Sequence, residues 1–277
     1  MSDVVVAHIS DLHFGGRADF PQLAVLARFL PTLLPRAIVA SGDISQRARH
    51  GEFQAARGFL DHLTAAAPVH VIPGNHDAQW WRSPMGLLGE RTQFRKYQVY
   101  FGADLAPVVR MDGLVIAGML SAHGIAPRSL TFNPNDLAVK GHLPAREVER
   151  VRTVFQSLPA DTIRMAVLHH NVLPGVISRR WGLARPHAAQ RALLGIGADV
   201  VLCGHDHTEG AGQIEGKLAV STAGTPSLRT RGGRPSTFNL IRVSEREIRI
   251  QHYIYARDAA TYRPGDTAIY ARPRRAV

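Results

Sequence analysis

Aspartate, histidine and asparagine residues are gathered into five short motifs along the chain. The motifs are Asp11-Leu12-His13, Gly42-Asp43, Gly74-Asn75-His76-Asp77, His169-His170-Asn171 and Gly204-His205-Asp206-His207. Their carboxylate, imidazole and amide groups suit manganese, iron or zinc and bind soft metals poorly. The residue types therefore predict a site for cations of this kind.

Each motif directly follows a short apolar run that has the composition of a buried strand, such as residues 4–10 before Asp11. Segments with helical periodicity, including residues 50–63 and 144–158, stand between these runs. Alternating strands and helices predict an α/β fold with parallel strands and helices packed on a face. Because the carboxyl ends of parallel strands gather at one edge of a sheet, we expect the motifs to converge on one pocket.

The spacing within the motifs predicts how their side chains point. Asp11 and His13 are two residues apart, so both should project the same way from an extended chain, and His205 and His207 repeat this spacing. Any one motif alone is weak evidence, since Asp-x-His or Gly-Asp also occurs at ordinary strand ends. The ordered set of motifs carries the prediction of a metal site.

Length and composition indicate one domain of catalytic size over residues 1–277, because 45% of the 277 residues are hydrophobic. No apolar run is long enough to span a membrane, and the start lacks the features of a signal peptide. The single cysteine, Cys203, excludes an intrachain disulfide and fits a reducing compartment. We therefore expect a cytoplasmic protein with no membrane partner.

The net charge of +11 raises the question of a nucleic-acid partner. The basic residues are 30 arginines and 3 lysines, and they are scattered, without a basic helix or a block of five like charges. No stable nucleic-acid complex is expected. A non-enzymatic nucleic-acid-binding protein stays as an alternative, which predicts salt-dependent binding that survives chelation of metal.

Two regions outside the motifs also carry predictions. An insertion at about residues 79–107 is rich in aromatic residues and should form a helical lid across one end of the sheet. The aromatic side chains of the insertion would either stack a base or form a small core of the lid itself. They include Trp80, Trp81, Phe94, Tyr97 and Phe101.

The chain becomes β-rich over about residues 211–277. The polar tail from Arg257 is expected to be loose or to contact a partner, and pairing with a second copy to form a homo-oligomer is left open. Asp112-Gly113 between two apolar runs predicts a tight hairpin.

The ordered motifs resemble the signature of the calcineurin-like metallophosphoesterase superfamily, which reads Asp-x-His, Gly-Asp, Gly-Asn-His-Asp/Glu, His and Gly-His-x-His. The resemblance spans Asp11 to His207. Within it, residues 8–15, 41–43 and 71–77 resemble the bacterial class III cyclic-nucleotide phosphodiesterases. The resemblance implies a four-layer α-β-β-α sandwich, which accommodates the β-rich second half of the chain better than a purely parallel sheet.

The resemblance also implies residue roles. One metal site would consist of Asp11, His13, Asp43 and His207. The second would consist of Asp43, Asn75, His169 and His205. His76 would act on the phosphate or the leaving oxygen, with Asp77 orienting it.

The fourth motif leaves a choice between two histidines. His169, rather than His170, is expected to be the ligand, because it aligns with the lone histidine of relatives that lack the second. Asn171 departs from the proline that often follows in the family.

The implied cofactors are two metal ions, manganese and/or iron, with zinc as an alternative. Two cations can hold a hydroxide between them and polarise the oxygens of a phosphoester. The predicted enzyme is a phosphodiesterase acting on small nucleotides, with 3′,5′-cyclic nucleotides among them. A phosphomonoesterase, a nuclease and a UDP-diacylglucosamine-type pyrophosphate hydrolase stay open as alternatives, although the last usually has arginine where His76 stands.

Overall fold

The computed structural model describes residues 3–79, 82, 90–125, 128–131, 136 and 139–273. Within these residues the chain forms two six-stranded sheets and six α-helices. The prediction of a mixed α/β fold with two sheets is confirmed. That the whole of residues 1–277 is one domain stays a prediction.

The first sheet has the strand order β12-β11-β10-β1-β2-β3. Its strands are β1 (Val4–Ile9), β2 (Ala37–Ser41), β3 (Val69–Ile72), β10 (Thr237–Val243), β11 (Glu247–Ala256) and β12 (Thr261–Ala271). Strands β1 to β3 run parallel, while β10 pairs antiparallel with β1 and begins an antiparallel extension through β11 to β12. The carboxyl ends of β1, β2 and β3 therefore lie at the same edge.

The second sheet has the strand order β4-β5-β6-β7-β9-β8. Its strands are β4 (Val108–Met111), β5 (Leu114–Gly118), β6 (Ile163–Val167), β7 (Val200–Cys203), β8 (Gly210–Ile214) and β9 (Leu218–Thr222). Strands β5, β6, β7 and β9 are parallel, and the two edge strands are antiparallel. The predicted hairpin is confirmed, since Met111 pairs with Leu114 around Asp112-Gly113.

The helices are α1 (Phe20–Phe29), α2 (His50–Thr64), α3 (Glu90–Gln93), α4 (Arg95–Phe101), α5 (Ala145–Gln156) and α6 (Pro186–Leu194). The Asp19 side chain caps α1 by accepting a hydrogen bond from the Gln22 N–H. This helix ends before Pro31, whose ring disfavours a continuing helix. No helix of the described residues is long and apolar enough to cross a membrane.

Three apolar clusters hold these elements together. One cluster contains residues of both sheets, including Val39, Met165 and Ile241, and forms a shared core between the sheets. A second joins the first sheet to α1, α2 and α4, and a third joins the second sheet to α5 and α6. Each sheet therefore buries one face against the other sheet and the opposite face against helices.

Phe94, just before α4, and Tyr97, within it, belong to the core and not to a separate lid. Phe94 and Tyr97 are buried in the cluster outside the first sheet. The Tyr97 ring lies 6.0 Å from the ring of Phe53 in α2. Phe94 and Tyr97 are therefore neither free to stack a base nor part of a small core confined to the lid, which were the two predicted uses. Trp80 and Trp81 lie outside the described residues, so the lid itself stays a prediction.

The expectation of a loose tail after Arg257 is wrong, because residues 261–271 form the eleven-residue strand β12. Tyr262 is 3% exposed and packs its ring 5.0 Å from Phe238. Pro264 fits an edge strand, where its missing N–H leaves no gap in the ladder. The polar composition that suggested a tail comes from the exposed residues of this edge strand.

Candidate metal centre

Five of the ligand-type residues lie in the left-handed backbone region just after their strands, which is uncommon outside glycine. The φ values are 55° at Asp11, 47° at His13, 50° at Asp43, 73° at His205 and 59° at His207. The expected extended backbone is therefore wrong for both pairs, although Asp11 and His13 do face the same cluster. Tight turns aim these side chains, and backbone strain of this kind, about 1–3 kcal/mol per residue, concentrates at functional sites.

Asp11, His13, Asp43 and His207 form a first cluster, with one ligand atom of each residue within 4.8 Å of the others. His207 Nε2 lies 3.1 Å from His13 Nε2 and 3.2 Å from Asp11 Oδ1. All four side chains are buried, and the 3.2 Å contact of Asp11 Oδ1 lacks hydrogen-bond geometry, so this oxygen forms no hydrogen bond with the described residues. Converging nitrogen and oxygen ligands that include an orphaned buried acceptor fit a bound cation.

Asp43, His169 and His205 form a second cluster. Asn75 lies beside them, since its Oδ1 is 3.2 Å from His169 Nε2 and 3.1 Å from His205 Nδ1. A carboxylate, an amide oxygen and two imidazoles make a mixed donor set that fits the same class of cation as the first cluster. His205 and His207, two residues apart, thus serve different clusters.

Asp43 is common to both clusters. Its Oδ2 lies 3.9 Å from His13 Nε2 and 3.4 Å from His169 Nε2. Its other oxygen, Oδ1, accepts a hydrogen bond of 2.8 Å from the backbone N–H of His76. One carboxylate oxygen therefore faces both clusters, as a residue that bridges two cations must.

Backbone carbonyls orient two of the imidazoles. His169 Nδ1 donates to the Ser41 carbonyl at 2.9 Å, and His207 Nδ1 donates to the Arg229 carbonyl at 2.9 Å. Each bond directs Nε2 of its ring towards a cluster, which is the usual support for a histidine that binds metal.

Glycines make room for the bridging carboxylate. A Cβ on Gly74 would lie 2.2 Å from Asp43 Oδ1 and 2.4 Å from Asp43 N. Gly42 has a φ of 98°, and a Cβ there would lie 2.6 Å from His169 Nδ1. Only glycine lets these backbones approach the site so closely.

Burial and neighbouring charges set the protonation of the clusters. Burial lowers the pKa of His13 to about 3. Burial alone would raise the pKa of Asp43, but His169 and His76 hold it well below its usual value. Burial also opposes protonation of His169, yet the Asp43 carboxylate raises the pKa of His169 to about 9.

His76 lies beside the first cluster, with its ring 4.9 Å from the ring of His13. Its Nδ1 donates to the backbone carbonyl of Gln46 at 2.8 Å, and its Nε2 lies 2.9 Å from Nη1 of Arg229. The expectation that Asp77 orients this ring is wrong, because the backbone of Gln46 does so.

Asp77 instead ties two loops together. Its Oδ2 accepts hydrogen bonds from the backbone N–H groups of Gly74 at 2.9 Å and Ile44 at 3.0 Å. Its Oδ1 accepts bonds from the N–H and the hydroxyl of Ser45 at 2.7 and 2.8 Å. Burial, with the neighbouring Asp43 charge, raises the pKa of Asp77 to about 6. Asp77 therefore positions the loops after β2 and β3 and does not contact the His76 ring.

His170 and Asn171 are turned to other partners. His170 lies with Nδ1 2.9 Å from the Ser121 hydroxyl and Nε2 3.0 Å from the Val139 carbonyl. Asn171 Nδ2 donates to the carbonyls of Leu173 and Arg180 at 2.7 and 3.0 Å. The structure thus brings His169, and not His170, into a cluster of ligand atoms.

Arg229 is a site residue that the sequence motifs did not indicate. Its carbonyl holds His207 and its guanidinium contacts His76. The signal for it was present, because polar residues follow the apolar strand β9. That strand runs parallel to β7, so its carboxyl end lies at the same edge.

The family model for calcineurin-like phosphoesterases matches residues 4–209, and the chain belongs to this family. The resemblance read from the motifs is confirmed. The family defines a phosphoester hydrolase with a dinuclear metal centre, and the buried Asp and His clusters fit such a centre.

Two curated relatives are phosphodiesterases. A cAMP/cGMP dual specificity phosphodiesterase of Mycobacterium tuberculosis is 26% identical over 225 residues, which are 74% of this chain and 62% of that protein. A glycerophosphodiester phosphodiesterase of Enterobacter lignolyticus is 34% identical over 116 residues, which are 35% of this chain and 39% of that protein. The chain thus spans less than two thirds of the length of these relatives.

Solved structures share the fold. A purple acid phosphatase from yellow lupin superposes with a TM-score of 0.70 at 9% identity, covering 98% of this chain and 54% of that chain. A dimetal phosphatase from Danio rerio has a TM-score of 0.63 at 14% identity and covers 98% and 99% of the two chains. At these identities the likeness concerns the fold alone.

Proposed function

We propose that the chain is a dinuclear-metal-dependent phosphodiesterase that hydrolyses small nucleotides, among them 3′,5′-cyclic nucleotides. The observation that carries the proposal is the position of Asp43, whose Oδ2 faces both ligand clusters at 3.9 and 3.4 Å. Preference for a diester is supported by the two curated relatives, which are both named as phosphodiesterases.

The residues would divide into two sites that share Asp43. Asp11, His13 and His207 would complete one site, while Asn75, His169 and His205 would complete the other. Manganese and/or iron is the proposed pair, and zinc also suits these donors. When bound, such cations would polarise phosphoryl oxygens and lower the pKa of water, so that hydroxide is available as the nucleophile at neutral pH.

His76 would hold or move the proton at the leaving oxygen. Its Nε2 is the ring atom that faces Arg229 and the site, because Nδ1 is engaged by Gln46. Loss of a positioned proton donor slows a reaction by about a hundred- to ten-thousandfold. Asp77 would act indirectly, because its hydrogen bonds fix the loops that carry Asp43 and His76.

The proposal places the enzyme in the cytoplasm, since one buried cysteine fits a reducing compartment. It includes no membrane partner and no stable nucleic-acid complex. A homo-oligomer is compatible with the exposed edge strand β12 and is not required for the site.

The test is turnover by purified, manganese-loaded protein of bis-p-nitrophenyl phosphate, p-nitrophenyl phosphate and 3′,5′-cyclic AMP. An Asp43→Asn preparation, purified identically, controls for contaminating hydrolases. We expect the diesters to be hydrolysed faster than the monoester. Faster turnover of the monoester would replace the proposal with a phosphomonoesterase.

A further inference from the structure

Arg229 is a basic side chain that reaches the candidate centre. Its Nη1 lies 2.9 Å from Nε2 of His76. Nδ1 of His76 faces the Gln46 carbonyl, so Nε2 is the ring nitrogen that meets Arg229. Among the described residues, a guanidinium with five donors thus has one imidazole nitrogen as its side-chain hydrogen-bond partner.

The charge of Arg229 is not paired. Among the described residues, no carboxylate forms an ion pair with it, whereas Arg231 and Arg234 on the same segment pair with Asp206 and Glu209. Arg229 is half-buried, and burial lowers its pKa while the Asp43 carboxylate opposes that effect. A partly desolvated, unpaired guanidinium is a ready site for an anion.

The segment that carries Arg229 is fixed by buried hydrogen bonds. The Thr225 hydroxyl donates to the Asp11 carbonyl at 2.6 Å and lies 2.7 Å from the Ser227 hydroxyl. The Ser227 hydroxyl in turn accepts from the backbone N–H of Arg229 at 3.2 Å. The backbone carbonyl of Arg229 accepts a hydrogen bond from His207, and the same fixed segment places the Arg229 guanidinium beside His76.

We propose that Arg229 binds the phosphoryl group of the substrate, sharing it with His76. This inference rests on the proposed function, because it requires a phosphoester between the clusters and His76. Arginine matches two phosphoryl oxygens with two donors, which lysine cannot do. Arg229 lies beyond residues 4–209 that match the family, so the family signature does not supply it.

The test is binding of inorganic phosphate, measured by calorimetry on the metal-loaded protein. We expect Arg229→Gln to weaken phosphate binding by about ten- to hundredfold, the worth of a hydrogen bond between charged groups. Arg229→Lys should fall between wild type and Arg229→Gln. Arg249→Gln is the control with the same change in net charge, since Arg249 pairs with Glu247 on β11.

Two further readouts separate binding from support of the fold. Metal content should be unchanged in Arg229→Gln, because the carbonyl that holds His207 belongs to the backbone. KM for bis-p-nitrophenyl phosphate should rise together with the dissociation constant for phosphate. Unchanged phosphate affinity in Arg229→Gln, or loss of metal from it, would overturn the inference.

Failure of the proposed function would look different. In that case the wild-type protein would hydrolyse no phosphoester, while calorimetry would still report whether Arg229 binds phosphate. If Arg229→Gln does not fold, Arg229→Lys is the variant that tests the inference. A phosphate affinity of Arg229→Lys equal to that of the wild-type protein would contradict a contact through two donors.

Discussion

Asp43 is the residue on which the candidate centre depends most, because it alone belongs to both clusters of ligand atoms. Asp43→Asn should therefore lower metal content and turnover more than Asp11→Asn, which affects one cluster. Elemental analysis of both variants checks this. Asp61→Asn serves as the control, since the Asp61 side chain is 53% exposed and, among the described residues, forms an ion pair with Arg57 alone. Equal, mild losses in the two buried variants would mean that Asp43 does not bridge.

His76 contacts no cluster through its ring nitrogens, since one faces Gln46 and the other Arg229. His76→Ala should keep both metals and slow the chemical step by about a hundred- to ten-thousandfold. The loss should be larger for a natural alkoxide leaving group than for p-nitrophenolate, which leaves without a proton.

Metal analysis and turnover of His76→Ala on both kinds of substrate test this assignment. His62→Ala, at an exposed position on α2, is the matched control. Loss of a metal would make His76 a ligand. Equal losses of turnover on both kinds of substrate would mean that His76 binds the phosphate and does not protonate the leaving oxygen.

Residue identity was the most predictable part of the site. At least one side chain of each of the five motifs lies in or beside the two clusters, because polar residues after buried strands have one edge of the sheet in common. The orienting contact of His76 was not predictable, since Gln46 lies thirty positions away and acts through its backbone. Arg229 was missed because it follows a strand whose pairing with β7 no local spacing reveals.

The turns after the strands explain why glycine is required at Gly74. A Cβ there would meet Asp43 Oδ1 at 2.2 Å, so Gly74→Ala should displace Asp43 and lower metal content. Gly58→Ala on α2 is the control, because a Cβ there has nothing within 4 Å. It should stabilise the fold by about 0.5–1 kcal/mol. Full metal content in Gly74→Ala would show that the turn tolerates a side chain.

Strand β12 is held by its aromatic contacts. Tyr262→Ala should lower the free energy of unfolding by about 3 kcal/mol, because it opens a cavity beside Phe29 and Phe238. Tyr262→Phe removes only the hydrogen bond from Gln22 at 3.1 Å and should cost about 1 kcal/mol. Denaturant unfolding measures both variants. Similar, small losses would indicate that β12 contributes little to the core.

Elements with a strong apolar pattern could be predicted, and those defined by long-range pairing could not. Strands β1, β2, β3 and β7 are short runs of mainly apolar residues, and the Asp112-Gly113 hairpin has its own turn signal. Strand β12 has neither an apolar pattern nor a turn signal of this kind. It is an edge strand, and most of its side chains face solvent. The left-handed backbone at Asp11 and His205 also escaped prediction, since tertiary contacts and not local preference hold it.

The two sheets together build the centre. Asp11, His13, Asp43 and Asn75 follow strands of the first sheet, whereas His169, His205 and His207 follow strands of the second. Each cluster takes ligand atoms from both sheets. The shared apolar core between the sheets therefore fixes the distance between ligands that are far apart in the sequence.

The proposed function requires two metal ions bound at Asp43 for phosphoester hydrolysis. The most direct measurement is titration of the chelated protein with Mn²⁺, following turnover of bis-p-nitrophenyl phosphate and bound metal in the same samples. Turnover should be absent in the chelated protein and should rise to its maximum only as occupancy approaches two ions per chain. Full turnover with metal confirmed absent, or maximal turnover at a single bound ion, would contradict the two-metal centre.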